Sequence, residues 1–548
     1  MLTAAYVDIL ILADESNSQG PGGPGDDVAP WIVDIVDRLE TKLVSRQIGG
    51  DLATQGNRYA VIGFGDTNPY SIKMLNNQPW VAAEDVDQLV SQFSNIGHDE
   101  NPYIGLAHAL GVDDVQIWGT PTTIAPELQF RPNAAVHVIM VSDEVSDTWE
   151  HNFGPEVGPS GCLDVSEEVS PVCENNIFFE LLNQMRAENL PTTGAPSLVD
   201  AVFTSVAPYE YNESSLGVSG EMILGIDAHI LDNVNLDRNS ADSNDPQEQD
   251  LDADILSGSP NDNFAIFTGT ETVDDIDVIV RDSATASDQL LNVDYDDLRS
   301  VIRNANEDAI NYVQLSTGVS PAFDAEDYAI FTWEARGTAW DFEVIRGKYS
   351  QNPLPNIVEN FNKALVDDTF EKIRMQVVDF DESGRVSLED ELDDYWTAGL
   401  AVANGNTNYD ARRYDLDGDG TFVTENFEGN DSMQQNDILL LLHIMSTPIG
   451  DSDANYQFNT SDGVLIFQGV GYEDQIDDNA DYTTGDWTGD FDFGSSDMIA
   501  IYTYGLVYYE NGYIDNDGDG VADVVPIWAI NINFTGDDNT FYLPVWSS

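Results

Sequence analysis

The stretch Tyr6 to Ser18, YVDILILADESNS, constrains the fold more than any other part of the chain. Its apolar run, Ile9 to Ala13, ends abruptly in Asp14-Glu15-Ser16-Asn17-Ser18. A short apolar run bounded by polar residues suits a strand buried on both faces, as in a parallel sheet covered by helices. Open α/β sheets bind their ligands just beyond the carboxyl ends of the strands. The D-x-S-x-S turn places one carboxylate and two hydroxyls there. Hard cations such as Mg²⁺ take oxygen ligands in octahedral geometry, so Asp14, Ser16 and Ser18 supply half a site. Asp and Ser are also ordinary loop residues, and a metal reading needs a second carboxylate from another strand end.

Val136 to Val141 is a second apolar strand, and Ser142-Asp143-Glu144 is the acidic turn that follows it. Between the two lie a third strand candidate, Asn57 to Asp66, and the helix-like Glu84 to Phe93. This order of elements resembles the von Willebrand factor A (vWA) family, and Asp14, Ser16, Ser18 and Asp143 match its metal-ion-dependent adhesion site (MIDAS). The family's middle ligand, usually Thr or Glu, comes from a loop just before a helix. Here that loop is Gly97 to Pro102, ahead of the helix-like Tyr103 to Leu110, and without a Thr the position falls to Glu100 or Asn101. The resemblance covers residues 1–376 and implies a doubly wound, Rossmann-like α/β sheet. It also implies a Mg²⁺ site (or Mn²⁺ or Ca²⁺) whose coordination is completed by an acidic side chain of a protein partner. The competing reading is that Asp14 and Asp143 merely cap helices.

The 548 residues are enough for two to four domains with sizeable cores. Twenty basic against 99 acidic residues give a formal charge of −79, while 42% of the chain is still hydrophobic, too much for wholesale disorder. Such a charge disfavours nucleic acid and anionic membrane surfaces. It suits surroundings rich in salt or calcium, where cations relieve the self-repulsion. The two cysteines, Cys162 and Cys173, lie in one loop-like segment. In an oxidising compartment a bridge would staple that loop; two buried thiols are the alternative. No run reaches the roughly 18 apolar residues of a membrane span. No secretory leader precedes the first strand, so an extracellular reading expects a mature chain or an incomplete start.

Gly20, Gly22 and Gly25 spell G-x-G-x-x-G after the first strand, yet a dinucleotide site is rejected. Pro21 and Pro24 lack the N–H groups that cradle a pyrophosphate, and Asp26-Asp27 would repel it. Trp31, Ile32, Ile35, Val36, Leu39 and Leu43 give Ala29 to Ile48 a helical core stripe. A helix from Asn176 and a strand from Leu198 to Val206 follow. Residues 207–305 break the pattern and read as a large insertion, either a small β-rich lobe or an elaborated rim. Thr338 to Ile345 resumes the core, and the helix Ile357 to Ile373 closes it.

The second half is repetitive. Asp379, Asp381, Ser383 and Asp390 occupy positions 1, 3, 5 and 12 of a calcium loop with Gly384 at position 6. Spaced carboxylates around a central Gly let one loop wrap a large cation. Asp415, Asp417 and Asp419 begin a second loop, whose closing acid arrives late, at Asp437, so an insertion sits inside it. Loops that end in Asp and run into an apolar helix resemble dockerin repeats, which implies paired, EF-hand-like calcium loop-helix units. Asp451, Asp453, Asn455 and Asp462 align with Asp486, Thr488, Asp490 and Asp497 at an offset of 35 residues. Position 6 of these two loops is Tyr456 or Phe491 instead of Gly. Asp515, Asp517, Asp519 and Asp523 form a last aspartate-dense loop. The bland alternative for each is a solvated acidic turn. The expected organisation is a vWA-like domain over 1–376, a dockerin-like pair over 377–447, a second loop-helix pair over 448–510, and a final loop with a strand segment over 511–548.

No catalytic set emerges: the chain has no H-E-x-x-H, no G-x-S-x-G and no P-loop. A hydrolase would need a metal-bound water beside a base such as His98, and the hard oxygen set suits Mg²⁺ or Ca²⁺ better than hydrolytic Zn²⁺. The expectation is a non-enzymatic, extracellular or cell-surface adhesion protein without a transmembrane segment. It would bind an acidic group of a protein ligand through the adhesion-site metal and carry several Ca²⁺ in its second half. The alternative is a structural subunit of a filament, sheath or surface layer, in which identical subunits are the partners.

Overall fold

The computed structural model describes residues 4–15, 28–64, 71–93, 102–109, 116–117, 120–121, 128–131, 133–142, 202–207, 222–227, 263–269, 277–282, 328, 332, 337–346, 355–380, 386–406, 409–425, 431–456, 458, 460–468, 471–473, 476, 478–504, 506–507 and 525–526. The strands of the first half are β1 (Ala4–Asp14), β2 (Arg58–Phe64), β3 (Ser71–Ile72), the short hairpin β4 (Gln116–Ile117) and β5 (Thr120–Pro121), and β6 (Ala134–Val141). They continue as β7 (Val202–Ala207), β8 (Met222–Asp227), β9 (Asn263–Gly269), β10 (Asp277–Asp282) and β11 (Ala339–Asp341). The helices are α1 (Val28–Ser45), α2 (Val86–Val90), α3 (Pro102–Ala109), α4 (Glu343–Arg346) and α5 (Pro355–Val378).

Nine of these strands form one sheet in the order β10-β9-β8-β11-β7-β6-β1-β2-β3. The stretch β11-β7-β6-β1-β2 is parallel throughout, as the continuous apolar runs require. β3 adds an antiparallel edge on one side, and β8, β9 and β10 add three antiparallel strands on the other. Residues 207–305 were expected to form a lobe or a rim; their described strands instead widen the central sheet.

β1 is buried along its whole length, with Ile9 opposite Tyr59 on one side and His137 on the other. Ala5, Val7, Ile9, Ile11 and Ala13 join a core with Trp31, Ile35 and Leu39 of α1 and Phe361, Leu365 and Phe370 of α5. Trp31 donates from Nε1 to Asn362 Oδ1 at 2.9 Å, and Arg38 grips Glu359 with two bonds of 2.6 and 2.9 Å, so α1 and α5 are tied as well as packed. α3 packs on β1 and β2 and buries Tyr103 and Leu106. The same core runs without a break into the second half, through Phe380, Tyr395, Leu441 and Trp487. No helix among the described residues is long and apolar enough to cross a membrane.

Beneath α5 the core is polar. Lys372 pairs with Asp227 of β8, both buried, and lies 3.5 Å from Asp368. Burial pushes Asp368 up to about 6 against the pull of Lys372. His137 Nε2 meets Thr204 Oγ1 at 3.0 Å; burial, then the Lys372 charge, pushes this imidazole down to about 3. Removing one partner of a buried ion pair strands the other charge. Lys372→Met is therefore expected to cost about 3–5 kcal/mol in urea unfolding. The unfolded chain takes up a proton at His137 near pH 6.5 and the folded chain only near 3, so this group lowers stability as pH falls through that window. His137→Gln should flatten that part of the stability–pH curve relative to the parent chain; an unchanged slope would contradict the assignment.

Candidate metal centres

The parallel sheet brings two of the predicted elements side by side. Asp14 ends β1, is 1% exposed, and accepts a hydrogen bond at Oδ2 from Ser142 Oγ (3.2 Å), which directly follows β6. α3 starts at Pro102, immediately after the Glu100-Asn101 pair. Ser16, Ser18, Glu100, Asn101 and Asp143 lie outside the described residues, as do His98, Cys162 and Cys173. The neighbouring Glu15 is turned into the protein. Its carboxylate receives Lys73 Nζ and Ser71 Oγ, each at 2.5 Å, and its N–H donates to Phe64 O at 2.8 Å. Glu15 is thus tied to β2, to β3 and to Lys73.

In the second half, four helices follow the predicted loops: α6 (Leu388–Ala403), α7 (Gln435–Met445), α8 (Thr460–Gln468) and α9 (Ser495–Tyr504). Among the described residues, three loops gather their aspartates. Asp415, Asp417 and Asp419 form one group, Asp451, Asp453 and Asp462 a second, and Asp486, Asp490 and Asp497 a third; in each, carboxylate oxygens lie within 4.8 Å of one another.

The three groups share one hydrogen-bond plan. The first aspartate gathers N–H groups from later in its loop: Asp415 from Gly418, Asp419 and Gly420, Asp451 from Asn455 and Tyr456, and Asp486 from Gly489, Asp490 and Phe491. The closing aspartate, in the first turn of the next helix, takes an N–H from position 3. Asp437 receives Asp417 N (2.9 Å), Asp462 receives Asp453 N (3.1 Å), and Asp497 receives Thr488 N (2.9 Å). Positions 4 and 6 are left-handed in every case, with φ of 74° and 93° at Gly418 and Gly420, 53° and 67° at Ala454 and Tyr456, and 72° and 64° at Gly489 and Phe491. Tyr456 and Phe491 therefore adopt the turn that a glycine would take, although a side chain there costs about 1–2 kcal/mol. Each donates its N–H to the buried first aspartate of its loop.

The late arrival of Asp437 has a simple cause. The extra residues form a two-stranded hairpin, β12 (Val423–Glu425) against β13 (Asp431–Met433). Gln434 N donates to Phe422 O at 2.8 Å and closes the hairpin at its base, which returns Asp437 to the loop.

Burial raises the first aspartate of each loop, and Asp437 and Asp497 among the closing ones. Asp437 is pushed up to about 9 by burial together with the charges of Asp417, Asp415 and Asp419. Burial pushes Asp451 and Asp497 each up to about 6, and raises Asp486 well above its ordinary value. Carboxylates so crowded favour either a proton or a cation. The donor set is entirely hard oxygen, which fits Ca²⁺ or Mg²⁺. Asp437 Oδ2 is fully buried and has no hydrogen-bond partner, as expected of an oxygen that faces a cation.

The first loop is described only at its two ends. Asp381 and Ser383 lie outside the described residues, as do Asp515, Asp517, Asp519 and Asp523. Asp379 is held at its carbonyl by Arg413. Asp390, expected to close the loop, is exposed and takes Ser387 Oγ at 2.6 Å as part of the α6 cap. The acid that reaches back is the next residue, buried Glu391, whose Oε2 accepts from Phe380 N at 2.9 Å. Its only sequence signal was adjacency. Two further supports had no local signal at all: Trp396 of α6 donates to Asp486 Oδ2 at 2.9 Å, and Thr447 donates to Asp451 Oδ2 at 2.6 Å.

No protein-family model and no curated protein matches the chain. Solved structures do. Proximal thread matrix protein 1 from the mussel byssus aligns at 14% identity over 40% of this chain and 42% of that one, with a TM-score of 0.23. The same protein with a zinc-occupied MIDAS motif aligns at 15% over 38% and 39%, TM-score 0.23. The pilus adhesin SpaC from Lactobacillus rhamnosus GG aligns at 14% over 37% and 24%, TM-score 0.21. The chain thus spans less than half the length of each.

The two neighbouring acids of α6 separate by stability. Loss of a buried, charge-assisted hydrogen bond makes Glu391→Ala cost about 1.5–3 kcal/mol, whereas Asp390→Ala, at an exposed cap, should cost about 0.5–1 kcal/mol. Urea unfolding in calcium-saturated buffer reads both; the reverse order would return the closing role to Asp390.

Proposed function

We propose that this chain is an extracellular or cell-surface binding protein whose α/β domain is of the von Willebrand A type. It takes a divalent cation at the carboxyl edge of its sheet and recognises an acidic group on a protein partner through that cation. The observation that carries the reading is the pairing of Asp14 with Ser142 across the ends of β1 and β6, at a crevice where open α/β sheets bind ligands. Ser16, Ser18 and Asp143 follow these two ends directly in sequence, and Glu100 and Asn101 precede α3. A cation bound mainly by the protein on one side keeps an open coordination position for a partner carboxylate. The loop-helix half would bind Ca²⁺ at the three aspartate groups and at the first loop, and present the domain on a calcium-stiffened base.

A second reading, a structural subunit that contacts copies of itself, is favoured by one feature. Val464, Leu465 and Phe467 of α8, with Tyr472, Ile476 and Ile499, expose apolar surface on an otherwise acidic chain. Such exposed apolar residues are what subunit contacts bury.

Calorimetric titration of metal-stripped protein tests the first reading. The parent chain should bind Mg²⁺ at one site that Asp14→Ala deletes, while the Ca²⁺ sites of the second half, and the rise in melting temperature they cause, persist in both. Absence of Mg²⁺ binding in the parent chain, with Asp14→Ala indistinguishable from it, would reduce the α/β domain to scaffold. Sedimentation at increasing concentration in calcium then reads the second: reversible assembly weakened by Phe467→Asp would support it, and a monomer throughout would not.

A further inference from the structure

The second aspartate loop belongs to two parts of the molecule at once. The peptide group between Leu416 and Asp417 donates its N–H to Asp437 Oδ1 at 2.9 Å and accepts at its oxygen from Ala5 N of β1 at 2.7 Å. The next peptide group donates from Gly418 N to Asp415 Oδ1 at 3.0 Å and accepts from Thr54, at 3.0 Å from N and 2.6 Å from Oγ1. Two consecutive peptides therefore face the carboxylate cluster with their N–H groups and the base of the sheet with their carbonyls. Gly418 approaches β1 so closely that a Cβ there would stand 3.0 Å from the Tyr6 ring and 3.1 Å from the Ala4 Cβ. The other two groups are braced from within the second half, by Thr447 and by Trp396.

We propose that a divalent cation, Ca²⁺ by its oxygen donor set, held by Asp415, Asp417, Asp419 and Asp437, locks the loop-helix half onto the base of the α/β sheet. The inference rests on the reading of these loops as cation sites and adds to it a mechanical role for one of them. The cluster is supported as a site by fully buried Asp437, whose Oδ1 accepts from Asp417 N while its Oδ2 has no hydrogen-bond partner, next to the mutually close carboxylates of Asp415, Asp417 and Asp419. Without a cation, four carboxylates repel one another across a loop whose carbonyls are the grip on Ala5 and Thr54. With one, the carboxylates converge, and the two peptide groups they orient are held against β1. The lock lies at the start of β1 and Asp14 at its end, roughly 30 Å away at about 3.3 Å per residue. Calcium at the base therefore sets how firmly the binding edge is mounted without touching it. Linkage makes the coupling reciprocal: contacts to Thr54 that favour the closed loop also raise its affinity for the cation.

Hydrogen exchange on the full-length chain, stripped with a chelator and then titrated with Ca²⁺, tests the proposal beside calorimetry on the same samples. In the parent chain Ca²⁺ should slow exchange at the Ala5 and Thr54 amides at least about tenfold, since both would open only with the lock. Asp437→Asn should lose one Ca²⁺ site and this protection, while calcium still protects the Tyr456 and Phe491 amides of the other loops. Thr54→Val, which leaves every carboxylate in place, should weaken one Ca²⁺ site about fivefold. If Asp437→Asn loses a site but Ca²⁺ leaves Ala5 and Thr54 exchange unchanged in the parent chain, the site stands and the lock is overturned. If parent and Asp437→Asn bind the same number of Ca²⁺, the site itself is overturned, and the lock with it. Should Asp437→Asn fail to fold, an unaltered Ca²⁺ affinity in Thr54→Val overturns the lock alone.

Discussion

Everything in the molecule is referred to one buried strand. β1 has no exposed residue, so a one-residue slip against β2 and β6 would turn every side chain to the opposite face and take Asp8 from its arginine partners. Asp8 shows how tight this is: buried where β1 begins to pair with β2, it is held by Arg58 and Arg131, which stack on Trp80 and Tyr6 in turn. A buried carboxylate with two guanidinium partners has its charge answered in place. Asp14 at the other end is buried beside a serine hydroxyl and precedes an acidic turn. The contrast between them is chemical: Asp8 is answered by two guanidinium groups, whereas Asp14 accepts from the hydroxyl of Ser142.

The same distinction organises the second half. A chain with 20 basic and 99 acidic residues cannot answer every buried carboxylate with arginine or lysine. It spends these on a few interior positions such as Lys73, Lys372 and Arg131. For the loop aspartates it uses backbone N–H groups, up to three to a carboxylate, at the cost of left-handed φ at positions 4 and 6 of each loop. Those hydrogen bonds lower the acids of the loops, yet burial outweighs them and holds Asp437, Asp451 and Asp497 high. Backbone dipoles alone do not balance these clusters, which therefore favour a proton or a cation.

Much of this was legible from residue order alone. The continuous run Ile9 to Ala13 specified a buried parallel strand because no amphipathic element tolerates five apolar residues in succession. The helical stripe from Trp31 to Leu43 was equally plain. The widening of the sheet by β8, β9 and β10 was not, because six- and seven-residue strands separated by long polar stretches carry no signal for which sheet they join. At the carboxyl edge of the sheet, residue order placed Asp14 at a strand end. It gave no warning that Glu15 is turned inward onto Lys73, since that contact depends on a two-residue edge strand.

The loops show why spacing is an imperfect guide to a site. Counting positions placed a glycine requirement at position 6, and Tyr456 and Phe491 meet it with the same φ and the same N–H donated to the first aspartate. Counting also made Asp437 an anomaly. A hairpin that starts and ends at neighbouring points costs little more to close than a direct turn, so any number of residues can be inserted there without moving the closing acid. In the first loop, counting chose Asp390 over Glu391, and the longer side chain one position later makes the same reach to the start of the loop. What the repeats have in common is a set of hydrogen bonds, a first carboxylate that gathers the loop and a second that seals it from the next helix. Sequence records that set only where no insertion or side-chain length has intervened.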